Sequence, residues 1–343
     1  QKKLPRHSHD AMTPNTLAGT LFTVQTVAGI LANFSLLHHY VTLCVTGFRF
    51  KSTDVIVQHL TVANALIMLS KGIPQTMTAL GVKYFLHEFG CISVLYIYRV
   101  ARGVSITATC ILSVFQAIKM SSMTSSCKKL PTKALQDVGV SIFLCWILYM
   151  CVNLIFPLYS HSRWKFKNIT RDRDPAYCSA GLQNRITNSL YIALVLFPEV
   201  SCSGLMLWSS GTMVCILHRH RRKMQYIHKA RLSSRPSPEA RATQSILALV
   251  CTFVFFYTLS STFYAYIAAF NISSKWLMNT SALISTCFPT ISPLLLMNRD
   301  GTVTRLWTKF RESIRFMSHL SFSTNFRFLQ RPVCNSIRKT EAS

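Results

Sequence analysis

Seven apolar runs, each near the length of about 20 residues that crosses a bilayer, constrain this chain more than any other feature. They lie near 17–45, 54–78, 91–118, 134–159, 187–217, 242–270 and 276–297. Inside lipid every backbone amide needs an internal partner, so each run is expected to be a helix. A transmembrane β-barrel would show alternating segments of about 10 residues, and this pattern is missing from the sequence. Only 14% of residues are charged, against about 25% in ordinary globular domains. The fold class that follows is an all-α membrane protein, a seven-transmembrane helix bundle. Span 2 is the most polar, with Gln58, His59, Asn64 and Lys71.

The net charge of +26 raises the idea of nucleic-acid binding, but the placement of the charge points to a membrane instead. Arg49 and Lys51 lie between spans 1 and 2, and Lys119, Lys128, Lys129 and Lys133 between spans 3 and 4. A dense run from Arg219 through Arg221, Arg222 and Lys223 to Arg241 lies between spans 5 and 6. Fewer cations occupy the opposite loops, and the tail after Met297 is again basic. By the positive-inside rule these loops are cytoplasmic and the N-terminus is extracellular. Lys2, Lys3 and Arg6, with the basic loop between spans 4 and 5, pull the other way. Cys91, Cys178 and the sequon Asn168-Ile169-Thr170 all fall on the outer side, as an oxidising, glycosylating compartment requires.

The expected organisation is an extracellular segment 1–16, a seven-transmembrane helical domain 17–297, and a basic cytoplasmic tail 298–343. The first segment lacks the apolar core of a signal peptide, and a chain opening on Gln reads as a fragment. Leu306, Phe310 and Ile314 could form one face of an amphipathic tail helix, with Arg305, Lys309 and Arg315 toward anionic lipid.

The spans carry an uneven set of charges. Arg99 and Arg102 lie roughly 12 and 17 Å into span 3, close to the middle of a ~30 Å core. A cation there costs on the order of 2.5–3.5 kcal/mol against lipid. Residues three apart share a helix face, so the stripe 99, 102, 105, 109 is expected to point into the bundle. Glu199 in span 5 is the acid well inside a span, and Lys71 lies on the face of span 2 that carries Asn64. Two readings stay open, and both can hold. One is an Arg–Glu pair that orders spans 3 and 5. The other is an outward cavity in which surplus cations and Tyr98 receive the polar or anionic end of a largely apolar ligand. Pro74, Pro157, Pro198, Pro289 and Pro293 suit kinked helices around such a hollow. Asn33 and Asn64 are expected to bridge spans 1, 2 and 7.

No chemistry for an enzyme emerges: there is no paired-acid site, no HExxH and no phosphate-cradling glycine loop. The cysteines in the spans (44, 110, 145, 151, 202, 215, 251 and 287) stand singly and read as small packing residues. No metal site or cofactor is expected. One intramembrane acid is too few for an ion transporter, and span 7 holds no lysine for a retinal Schiff base.

Five blocks then carry a family resemblance: "HLTVANALIMLSKGIPQTM" (59–77), "YRVARGVSITATCILSVFQAIKMS" (98–121), "WSSGTMVCILHRHRRKMQYIH" (208–228), "RLSSRPSPEARATQSIL" (231–247) and "STCFPTISPLLLM" (285–297). The chain resembles the vomeronasal type 1 receptors, G-protein-coupled receptors for pheromones, in blocks that run in order through spans 2, 3, 5, 6 and 7. It departs from the general rhodopsin-like pattern in ways that family shares. Phe115-Gln116-Ala117 replaces Asp-Arg-Tyr, Ser292-Pro293-Leu294-Leu295-Leu296 replaces Asn-Pro-x-x-Tyr, and span 6 lacks its proline. Asn64 stands where an acid is usual, and Tyr98 stands where amine receptors carry Asp.

The resemblance implies a rhodopsin-like receptor architecture in the plasma membrane that binds a small semi-volatile or steroid-like ligand, anionic ligands included. It implies a Gi/Go-type G protein at the inner face, near Gln116, Lys119, Arg219, Arg221 and Arg222. It also implies a Cys91–Cys178 disulfide and glycosylation at Asn168. Arg99, Arg102, Tyr98, Glu199 and Lys71 are the expected ligand contacts. A bitter-taste-like receptor and a non-signalling member of the vomeronasal family are the alternatives.

Overall fold

The computed structural model describes residues 14–46, 52–82, 86, 88–124, 132–164, 185–227, 238–270 and 275–297. Seven helical segments run through them, and no strand occurs among the described residues. These are α1 (Pro14–Val45), α2 (Ser52–Ala79), α3 (Glu88–Thr124), α4 (Thr132–Trp164), α5 (Arg185–Ile227), α6 (Pro238–Phe270) and α7 (Lys275–Met297). Six are long and apolar enough to cross a membrane, and α4 contributes a shorter apolar stretch, Val138–Leu154. Among the described residues the chain is a seven-helix bundle of membrane-protein type. The described residues up to Leu296 form one compact unit. The expected tail helix, Cys178 and Asn168 lie outside the described residues.

The burial pattern inverts that of a water-soluble bundle. Ser105, Thr109, Ser113, Ser281 and Ser292 are fully buried, whereas Trp208 is 79% exposed and Phe197 76%. Phe143, Leu144 and Leu148 of α4 and Phe255 of α6 also face outward. Such a surface is stable only in an apolar solvent, where polar groups gather inside. Some buried hydroxyls satisfy themselves locally: those of Thr61 and Thr109 donate to the carbonyls of Val57 and Ser105, four residues back.

The third helix is the hub, packing against α2, α4, α5 and α6. Of the stripe 99, 102, 105, 109, Ser105 and Thr109 are fully buried and Arg102 meets Glu199 of α5, whereas Arg99 is only half-buried. Val100, Gly103, Val104 and Ala108, which lie off that stripe, are buried as well, because neighbours surround this part of α3. Gly103 is required by that crowding. A Cβ placed on it would meet the Tyr149 ring of α4 at 2.4 Å.

Proline shapes α2 and α7. Ile73, just before Pro74, donates its amide to Met68 O, five residues back, and Met68–Gly72 forms a π-helical turn. The wider turn re-aims the residues around Lys71, as such insertions do. In α7, Pro293 has no amide to offer the carbonyl of Pro289, four residues earlier. Asn33 of α1 takes that place, donating Nδ2 to Pro289 O at 2.9 Å.

Asn64 ties three helices. Its Nδ2 donates to Ser292 Oγ of α7 at 2.7 Å, and its Oδ1 accepts from Ser105 Oγ of α3 at 2.8 Å. The expected bridge from spans 1 and 2 to span 7 thus exists, and α3 joins it.

Candidate functional site

Two turns of α3 beyond Cys91, side chains from α2, α5 and α6 converge on Tyr98 and Arg102. Helix spacing brings these two together, since residues four apart stack on one face. Arg102 Nη2 donates to Glu199 Oε2 of α5 at 3.1 Å, and the two side chains are 16% and 19% exposed. The pair joins α3 to α5 without being sealed. Arg102 Nε is buried and has no hydrogen-bond partner. An ion in low dielectric needs a counter-charge and satisfied hydrogens; here the counter-charge is present and one hydrogen is unspent.

Lys71 enters from the π-helical turn of α2. Its Nζ donates to the Tyr98 hydroxyl at 3.0 Å and lies 4.4 Å from the centre of that ring. Tyr98 also interacts electrostatically with Arg102. Arg99 is half-buried one turn earlier on α3.

Tyr257 of α6 was not singled out by sequence reasoning, yet it belongs to the site. The Arg102 guanidinium carbon sits 5.0 Å from its ring centre, within the range of a cation–π contact. The ring stacks on Phe253 at 4.3 Å and meets Phe288 of α7 edge-on at 5.6 Å. Phe253 and Phe288 are fully buried and also pack edge-to-face at 5.1 Å. The i, i+4 pair Phe253 and Tyr257 was the available signal, but a run as aromatic as "FVFFYTLSSTFY" conceals which ring turns inward.

Toward the other end of α3, Gln116 is buried, not surface-facing. Its Nε2 donates to Thr243 Oγ1 of α6 at 3.4 Å, and Thr243 in turn donates to the Met120 sulfur at 3.0 Å. Lys119, Arg219 and Arg222 are exposed, whereas the Arg221 side chain lies outside the described residues. Cys91 is disulfide-bonded. Among the described residues no group of three or more His, Cys, Asp or Glu is placed to hold a metal ion.

The family model described as "Vomeronasal organ pheromone receptor family" matches residues 16–309. The chain is 52% identical over 294 residues to vomeronasal type-1 receptor 4 of Homo sapiens, covering 86% of this chain and 98% of the relative. It is 49% identical over 300 residues to the human vomeronasal type-1 receptor 2, covering 88% and 75%. A more distant likeness, 28% over 290 residues and covering 83% and 90%, is to olfactory receptor class A-like protein 1 of Danio rerio.

Proposed function

Because the chain belongs to the vomeronasal organ pheromone receptor family, a family of chemosensory G-protein-coupled receptors, we propose that it binds a small organic ligand where α2, α3, α5 and α6 meet. One observation carries the reading. Arg102, in the centre of the bundle, keeps some exposure and has a buried Nε without an acceptor, over an aromatic ring. A guanidinium in that condition favours a ligand with an oxygen at one end and an apolar body. Tyr98, Lys71 and Arg99 line the same end, and Glu199 sets the resting orientation of Arg102.

The protein lies in the plasma membrane with residues 1–16 outside, 17–297 as the receptor domain and 298–343 as a basic inner tail. Cys91 pairs with Cys178, and Asn168 carries a glycan. The ligand, semi-volatile or steroid-like, shifts the population of helix arrangements toward one that accepts a Gi/Go-type G protein. Lys119, Arg219, Arg221 and Arg222 supply the basic inner face, with Gln116 behind them.

The test is a ligand panel, anionic and neutral, read out by G-protein activation in cells expressing wild type or Arg102→Ala. The expected result is a selective loss of response to ligands with a terminal oxygen acceptor, at normal surface expression. An unchanged profile rejects the site. Silence of the wild type toward the whole panel, with normal surface expression, favours the non-signalling alternative.

A further inference from the structure

The Arg102–Glu199 contact is half-made. On a guanidinium, the Nε and Nη2 hydrogens point the same way and form a fork that takes two carboxylate oxygens side by side. Glu199 occupies only the Nη2 arm, at 3.1 Å, while the Nε arm is buried and unused. A free anion presenting two adjacent oxygens would satisfy both arms, but only by displacing Glu199 from Nη2. Displacement is reachable because both side chains retain exposure. The Tyr257 ring lies against the guanidinium, and Lys71, bonded to the Tyr98 hydroxyl, adds a positive charge that favours a second anion.

We propose that the Arg102–Glu199 pair is an internal clasp between α3 and α5 which an oxyanion ligand opens by taking the whole Nε/Nη2 fork from Glu199. The inference rests on the binding-site reading above and adds the ligand's chemical class and the step that its binding drives. Glu199 acts as a tethered competitor: it lowers the apparent affinity for anions and links α5 to α3 at rest. Ligand occupancy and clasp closure exclude one another, so anion binding stabilises the arrangement in which α5 is released. A neutral ligand with a single acceptor oxygen can use the Nε arm alone and leaves the clasp closed.

The experiment uses the full-length receptor in lipid nanodiscs, with decanoate as the anionic probe and methyl decanoate as its neutral counterpart. In Glu199→Gln the competitor loses its charge. Decanoate affinity is expected to rise by about 5- to 150-fold, the usual size of a coupling between exclusive events, while methyl decanoate is unchanged. Basal G-protein activation and hydrogen exchange in α5 are expected to rise together. Unchanged saturable binding of methyl decanoate by Glu199→Gln, at a wild-type yield of monodisperse receptor, guards against a simple folding defect. Basal activity of Glu199→Gln no higher than wild type overturns the clasp, as does an equal affinity gain for the ester. Absence of saturable decanoate binding in both forms also overturns it. If Arg102→Ala retains full decanoate binding, the binding-site reading itself fails. If binding requires Arg102 yet Glu199→Gln changes nothing, the clasp alone fails.

Discussion

Replacing Asn64 by alanine should loosen the bundle by an amount the geometry sets. Asn64 is 1% exposed, and its two partners, Ser105 and Ser292, are fully buried. The substitution deletes one bond to α7 at 2.7 Å and one from α3 at 2.8 Å. An interhelical side-chain bond in a membrane contributes about 0.6 kcal/mol on average and at most about 1.7. Two of them give about 1–3 kcal/mol. The stranded serine hydroxyls can fall back on carbonyls of their own helices, which moves the expectation to the lower half of that range. The assay is reversible unfolding of the purified receptor in mixed micelles against increasing anionic detergent, for wild type, Asn64→Ala, Ser105→Ala and the double variant. The singles should interact by about 0.6–1.7 kcal/mol, because both remove the same bond. Additivity within about 0.3 kcal/mol, or an Asn64→Ala receptor as stable as wild type, would refute the claim that this node joins α2, α3 and α7.

Gly103→Val should abolish surface expression, since its Cβ would fall 2.4 Å from the Tyr149 ring; adding Tyr149→Ala should restore part of it, measured by cell-surface labelling. Tyr257→Leu should weaken binding of acceptor-bearing ligands by about 0.5–2 kcal/mol, whereas Tyr257→Phe, which keeps the ring under Arg102, should bind nearly as wild type in a competition assay. Asn33→Ala removes the donor to the carbonyl that Pro293 leaves open and should lower stability by about 0.6–1.7 kcal/mol in the same unfolding titration. Gln116→Ala breaks the link from α3 to Thr243 of α6; basal nucleotide exchange on the G protein should rise, and an unchanged rate would show that this contact does not restrain α6.

Much of this arrangement was legible in the sequence because lipid leaves few choices. A cation three residues from another in an apolar span must turn inward, and Arg102 does so beside the acid expected to meet it. Lys71 was legible from its face on span 2, although its reach to Tyr98 depends on a π-helical turn that proline signals only loosely. The chain does not announce which way Phe253 and Tyr257 point, because the polar residues of span 6, such as Thr243, Gln244, Thr252, Thr258 and Ser260, are spread over several faces and do not fix its rotation. Periodicity also understates the burial of α3. Val104 and Ala108 lie off the polar stripe yet are buried, since a hub helix has neighbours on several sides. Gln116 illustrates the converse: an inner-face position in the sequence pattern, it is held inside by Thr243.

The central claim is that the cationic face of α3 opens on a hollow reachable by water from outside. Tyr98→Cys, in a background with its other reactive thiols blocked, can be probed on intact cells with membrane-impermeant thiosulfonates. The account expects modification from the outer side, faster for an anionic reagent than for its cationic counterpart and slowed by bound ligand. A cysteine at position 98 that reacts with neither reagent from outside, in a receptor present at the surface, would contradict it.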